Sequence, residues 1–160
     1  MFARKINDRV FCLGSLDWDR RLFDSLIPLP DGTSYNAYLV KGSEKTVLLD
    51  TVDPPMADEL IAQLKEVPKI DFVISHHAEQ DHSGTIPKIL AAWPDAKLIS
   101  THKAKGMLVD LLKIPDEKCK TVEDGETLSL GDKTLTGVSE ITFIQAPNPF
   151  IDALFRACMP

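Results

Sequence analysis

The sequence holds no Gly-x-Gly. Its eight glycines stand apart, which excludes both the dinucleotide fingerprint and the nucleotide-binding P-loop. Long apolar runs are missing too, and nothing reaches the length of a membrane span. The first nine residues carry four charged side chains, and the apolar patch Val10 to Leu13 is too short for a signal peptide. Cysteine is scarce. Cys12, Cys119 and Cys158 form no Cys-x-x-Cys pair, so neither a zinc ribbon nor a thioredoxin-type motif is offered. Free thiols in a reducing, cytoplasmic setting are expected. Positive charge is in deficit, with 18 Lys plus Arg against 24 Asp plus Glu and a net charge of -6. That balance gives no general attraction to nucleic acid or to anionic membranes. A Gly-x-Ser-x-Gly nucleophile elbow is absent. Without a downstream histidine to activate them, the cysteines make poor catalytic nucleophiles.

What is present fits one globular domain: 160 residues, 44% hydrophobic and 26% charged, with no internal repeat. Val10 to Leu13 reads as a short strand, and Ser34 to Val40 as a half-buried, alternating one. Thr46 to Asp50 pairs with the latter across a Lys41–Glu44 turn. Asp53-Pro54-Pro55 marks a helix start with Asp53 as cap, and Ala57, Leu60, Ile61 and Leu64 fall on one face. Phe72-Val73-Ile74 is a continuous apolar run of the kind used in strands covered on both sides. A helix is predicted from Ser83 to about Ala92, a strand over Lys97 to Ser100, and a helix over Thr101 to Leu112 that carries Ala104, Leu108, Leu111 and Leu112 inward. Asp124-Gly125 and Gly131-Asp132 punctuate short strands beyond it. A hairpin followed by alternating helix and strand gives an α/β chain, in which sites collect on loops after strands.

One segment carries chemistry: Ser75-His76-His77-Ala78-Glu79-Gln80-Asp81-His82-Ser83. It holds three of the four histidines and follows the apolar strand. His77, Glu79 and Asp81 are spaced by two, so an extended loop points them to one side, and His82 adds an imidazole beside Asp81. Two adjacent ions could be held this way, one by His77 with Glu79 and the other by Asp81 with His82. Imidazole and carboxylate donors suit iron, zinc or manganese. A plainer reading is a polar loop that caps a helix through Asp81 and Ser83. His76 falls on the opposite side, where a supporting role is expected. Asp50, at a strand end, could hydrogen-bond the loop from behind or serve only as a turn residue. His102 begins a helix, and Arg20 and Arg21 beside Trp18 read as solvated surface.

The His-x-Glu-x-Asp-His run after Phe72–Ser75 resembles the metal loop of the metallo-β-lactamase superfamily. Glu79, where the hydrolases usually have His, makes it similar to the flavodiiron proteins, or A-type flavoproteins. Asp17-Trp18-Asp19-Arg20-Arg21-Leu22-Phe23-Asp24, the stretch Pro30 to Val40, and Leu49-Asp50-Thr51-Val52-Asp53 agree in order with that family. The resemblance implies an αββα sandwich with a non-haem di-iron centre that reduces dioxygen to water, nitric oxide to nitrous oxide, or both. It implies electrons from FMN in a flavodoxin-like domain, or a donor such as rubredoxin, and a homo-oligomer. By the same match His77 and Glu79 bind one iron and Asp81 the other, with His82 a further candidate. A metal-dependent hydrolase of the superfamily is the alternative, with zinc the alternative metal, and a non-enzymatic, partner-binding remnant is a third reading.

The match covers about residues 1 to 135. The family's later ligands include a His in a His-Trp-Pro context, a bridging Asp and a final His. Here no histidine follows His102, and Phe150 stands where a histidine is expected. The expectation is therefore an incomplete sandwich, its N-terminal half to two-thirds, over 1–136. A divergent tail over 137–160 follows, with the flavodoxin-like domain absent. Such a truncated form is expected not to turn over by itself.

Overall fold

The computed structural model describes residues 3–23, 25–138 and 141–145. The strands are β1 (Arg4–Lys5), β2 (Val10–Asp17), β3 (Leu22–Phe23), β4 (Ile27–Pro28), β5 (Thr33–Lys41) and β6 (Thr46–Leu49). A 3₁₀ turn at Pro54–Met56 leads into α1 (Ala57–Leu64), followed by β7 (Phe72–Ile74), α2 (Gln80–Ser83), α3 (Ile86–Ala92) and β8 (Lys97–Ser100). Then come α4 (His102–Leu112), β9 (Cys119–Thr121), β10 (Thr127–Ser129), β11 (Thr134–Val138) and β12 (Ile141–Gln145).

Seven strands form one sheet in the order β1-β2-β5-β6-β7-β8-β9, and β10-β11-β12 form a second. Pairing is antiparallel from β1 to β6 and parallel from β6 to β9. The alternation of side chains sorts the large sheet into two cores. Leu48, Val73 and Leu98 point to the helices, where they meet Leu60 and Leu64 of α1, Ile86 and Ile89 of α3, and Leu108 of α4. Val47, Leu49, Ile74 and Ile99 point the other way, with Leu130 and Leu135 from the second sheet's side. The layers are helix, sheet, sheet among the described residues, the incomplete form of the expected sandwich.

Several elements differ from expectation. β2 runs eight residues rather than four, because it pairs along its whole length with β5, from Val10↔Val40 to Asp17↔Thr33. In α4 the buried stripe runs through Ala104 and Leu108 with Leu112 beside it, and Leu111 in the last turn is 69% exposed rather than inward. Thr101 caps that helix by accepting the Ala104 N–H at 3.3 Å. Asp53 occupies the expected cap position, yet its carboxylate makes no capping bond.

Gly14 bends β2 at φ +126°, and a Cβ there would collide with the Tyr35 carbonyl. The Gln63 amide of α1 reaches this bend from outside the sheet. It accepts the Gly14 N–H at 3.1 Å and donates to the Gly14 carbonyl at 2.6 Å.

β2 and β6 both run antiparallel to β5, so they run parallel to each other and to β7 and β8. The segments after Asp17, Leu49, Ile74 and Ser100 therefore leave the sheet along one edge. The candidate loop and its neighbours lie there.

Candidate metal centre

The loop after β7 is bound to the scaffold from behind. Asp50 follows β6 in the left-handed region at φ +54°, an unusual conformation for a residue with a Cβ. That bend aims its carboxylate at His76: Oδ1 accepts the His76 backbone N–H at 2.9 Å, and Oδ2 lies 2.7 Å from His76 Nδ1. Of the two roles open to Asp50, the structure shows the supporting one. The Thr51 N–H and hydroxyl both donate to the His82 carbonyl, at 2.9 and 2.6 Å. Within the loop, the Ser75 hydroxyl donates to the His77 carbonyl at 2.7 Å, and the Ser83 hydroxyl to the Ala78 carbonyl at 3.0 Å. Sequence pattern singles out neither Thr51 nor Ser75, and offers Ser83 only as a helix cap. Their one shared sequence signal is that small hydroxyl residues flank a cluster of ionisable ones.

The loop is extended as far as Glu79, at φ -63° and ψ 140°, and then turns helical. Asp81 and His82 accordingly sit on α2, not on an extended segment. The spacing by two holds for His77 and Glu79 only. The cause is local: the N–H groups of His82 and Ser83 both bond to the Glu79 carbonyl and close a helical turn. The cap position of that turn belongs to Glu79, whose side chain makes no capping bond.

The four candidate donors lie side by side in two pairs. His77 Nδ1 is 3.7 Å from Glu79 Oε2, and His82 Nε2 is 3.5 Å from Asp81 Oδ2. The two imidazoles touch edge to face, with centroids 4.4 Å apart. Nδ1 of His77 and Nδ1 of His82 are buried without a hydrogen-bond partner. An orphaned buried polar atom costs on the order of 1–3 kcal/mol, so proteins rarely leave one without a use. The unpartnered His77 Nδ1 beside the Glu79 carboxylate fits a borderline-hard divalent ion as part of its ligand set, whereas the unpartnered Nδ1 of His82 lies 3.9 Å from Asp50 and its Nε2 faces Asp81. Among the described residues no three His, Cys, Asp or Glu side chains converge on a single point. The loop offers its donors in twos.

A cleft of about 490 Å³ opens in front of α2, lined by Arg20, Phe23, Asp53, Pro55, Glu79, Gln80 and Asp81. Arg20 is no free surface group. Its guanidinium pairs with Asp53 at 2.7 Å and bonds the Leu22 carbonyl at 3.0 Å. The Tyr35 hydroxyl lies 3.1 Å from Asp17 Oδ2 and 3.4 Å from Asp53 Oδ2, so it bridges two buried carboxylates. Burial, followed by the charge of Asp53 and the bond to Asp17, pushes the Tyr35 phenol well above its ordinary value. Arg21, in contrast, bonds the Pro30 carbonyl, and Trp18 stays 64% exposed. His102 stands apart from the loop, on α4, with its ring 3.3 Å from Thr121 and Glu123 oxygens. Phe150 and Cys158 lie outside the described residues.

A family model described as the metallo-beta-lactamase superfamily matches residues 30–149. The chain belongs to that superfamily. Among curated members it is 37% identical over 146 residues to a nitric oxide reductase of Moorella thermoacetica, covering 89% of this chain and 35% of that one. It is 34% identical over 157 residues to a flavo-diiron protein of Clostridium acetobutylicum, covering 96% of this chain and 39% of the relative. Among solved structures, the rubredoxin oxygen:oxidoreductase of Desulfovibrio gigas superposes with a TM-score of 0.79 at 33% identity, over 88% of this chain and 37% of the other. Within the superfamily, the likeness is thus to the flavodiiron proteins. The chain spans a little over a third of the length of these relatives. Among the described residues, no helix is long and apolar enough to cross a membrane.

Proposed function

We propose that this chain contributes the metal-binding loop of a flavodiiron-type oxidoreductase, which reduces dioxygen, nitric oxide or both. The observation that carries this reading is the pairing of His77 with Glu79 next to Asp81 and His82, at the strand-end edge of a metallo-β-lactamase sheet. A carboxylate beside an imidazole adds negative charge and a hard oxygen donor, which favours two closely spaced iron ions over thiophilic metals. His77 and Glu79 would hold one iron, with Asp81 and His82 toward the other. A bound iron pair supplies electrons and open coordination positions for a diatomic ligand. The chain's own part is to hold the donors. Asp50 fixes His76 and, through it, the loop backbone, while Thr51 grips α2 by the His82 carbonyl. The cleft beside Glu79 and Asp81 gives a small molecule access from solvent. Electrons would come from FMN in a flavodoxin-like partner domain or from a rubredoxin-type protein.

Metal content and stoichiometry of the purified chain test the reading, with His77→Ala as control. Iron retained by the wild type and lost from His77→Ala is expected. A wild type that binds no transition ion under anaerobic iron(II) loading would overturn it.

A further inference from the structure

Three carboxylates and one guanidinium face the cleft in front of the candidate loop. Asp53, Glu79 and Asp81 bring negative charge to one mouth, and Arg20 is the lining residue that opposes it. Its position is fixed from two sides. The guanidinium is paired to Asp53, whose side chain is only 7% exposed, and also bonds the Leu22 carbonyl. Asp53 is itself within reach of the Tyr35 hydroxyl, which is shared with Asp17. Arg20 is therefore held at the cleft by a chain of contacts running from β2 and β5 to the turn before α1.

The geometry points to Arg20 as a resident counter-charge of the metal loop, a tethered cation that competes electrostatically with divalent ions and so sets how tightly the loop holds them. The inference rests on the metal-binding reading above. A fixed positive charge on the wall of a small cleft repels an incoming cation, and removing it favours that cation. Loss of Arg20 acts twice in the same direction, since it also releases the negative charge of Asp53. Loss of the Asp53 charge acts the opposite way, leaving Arg20 uncompensated beside the donors.

Competition against a metal-binding dye, with Mn²⁺ and Fe²⁺ as probes under anaerobic conditions, reads the effect without any turnover. Melting curves of each variant establish that it is folded. Arg20→Gln is expected to tighten divalent binding about tenfold and Asp53→Asn to weaken it by a similar factor. The double variant Arg20→Gln/Asp53→Asn, with the charge balance of the wild type restored but the contact chain broken, is expected to return to within about threefold of the wild-type affinity. Arg20→Lys should do the same. If all three glutamine and asparagine variants weaken binding, Arg20 acts only as a structural brace and the counter-charge is overturned. If they leave affinity unchanged, it is overturned as well. A wild type that binds neither ion overturns the metal-binding reading and this inference with it, whereas binding that ignores Arg20 overturns this inference alone.

Discussion

The back and the front of the Ser75–Ser83 loop are built in opposite ways. Behind, nearly every polar group has a partner: Asp50 takes both the backbone and the ring of His76, and Thr51 gives two hydrogen bonds to the His82 carbonyl. In front, His77 leaves Nδ1 buried and unpaired 3.7 Å from Glu79, and His82 Nε2 stands 3.5 Å from Asp81, both beyond hydrogen-bonding distance, while the unpaired Nδ1 of His82 lies 3.9 Å from Asp50. The lesson is a division of labour within nine residues. The scaffold binds the backbone of the loop and leaves its donor atoms uncommitted. Binding sites are made this way because a donor already satisfied by protein has little to offer a ligand.

That contrast can be broken by substitution. Asp50→Ala should cost the most, about 2–3 kcal/mol, because it strands a half-buried imidazole and a backbone N–H and leaves alanine in a left-handed conformation. Urea denaturation would show it, and a loss under half a kilocalorie would mean that the rear contacts do not hold the loop. Thr51→Val keeps the shape but removes the hydroxyl that donates to the His82 carbonyl, and is expected to cost about 1 kcal/mol.

An alkaline pH series probes the neighbouring network. The folded-state pKa of Tyr35 is raised above its ordinary 10.0, chiefly by burial, so the native state favours the protonated phenol. Its contribution is complete below pH 10 and declines as pH rises toward the folded value, because the unfolded chain ionises first. Tyr35→Phe should therefore lower stability at neutral pH and flatten the alkaline limb of the curve. An unchanged limb would show that the phenol ionises alike in both states.

His77→Ala and Glu79→Gln should have the smallest effect on stability without metal, within about 0.5 kcal/mol, since neither side chain holds the scaffold. Their effect belongs to metal affinity. If His77→Ala unfolds the chain as readily as Asp50→Ala, front and back are one structural unit and the contrast fails.

How far the sequence foretold this depends on the reach of each contact. The Phe72–Ile74 strand was legible because an unbroken apolar triplet has few other uses, and its side chains do enter both cores. The histidine cluster was legible because its donors are close along the chain. The His76–Asp50 contact spans 26 residues and was open as one of two readings of a strand-end acid, whereas the Arg20–Asp53 pair spans 33 and no local pattern announces it. Arg20 was read as surface for that reason. The helical turn at Asp81 was missed because the alternating spacing took no account of the Glu79 carbonyl as a helix-starting acceptor. Leu111 was misjudged because helical periodicity gives the direction of a side chain, not whether anything lies in that direction.

The amide of Gln63 has a consequence for the molecule as a whole. Among the described residues, β1 pairs with Phe11 and Cys12 of β2, and the Gly14 bend lies further along that border. By occupying both hydrogen-bonding groups of Gly14, one side chain acts as a surrogate strand a single residue long. It blunts an edge that is otherwise open to pairing with another polypeptide and makes self-templated polymerisation harder to begin there.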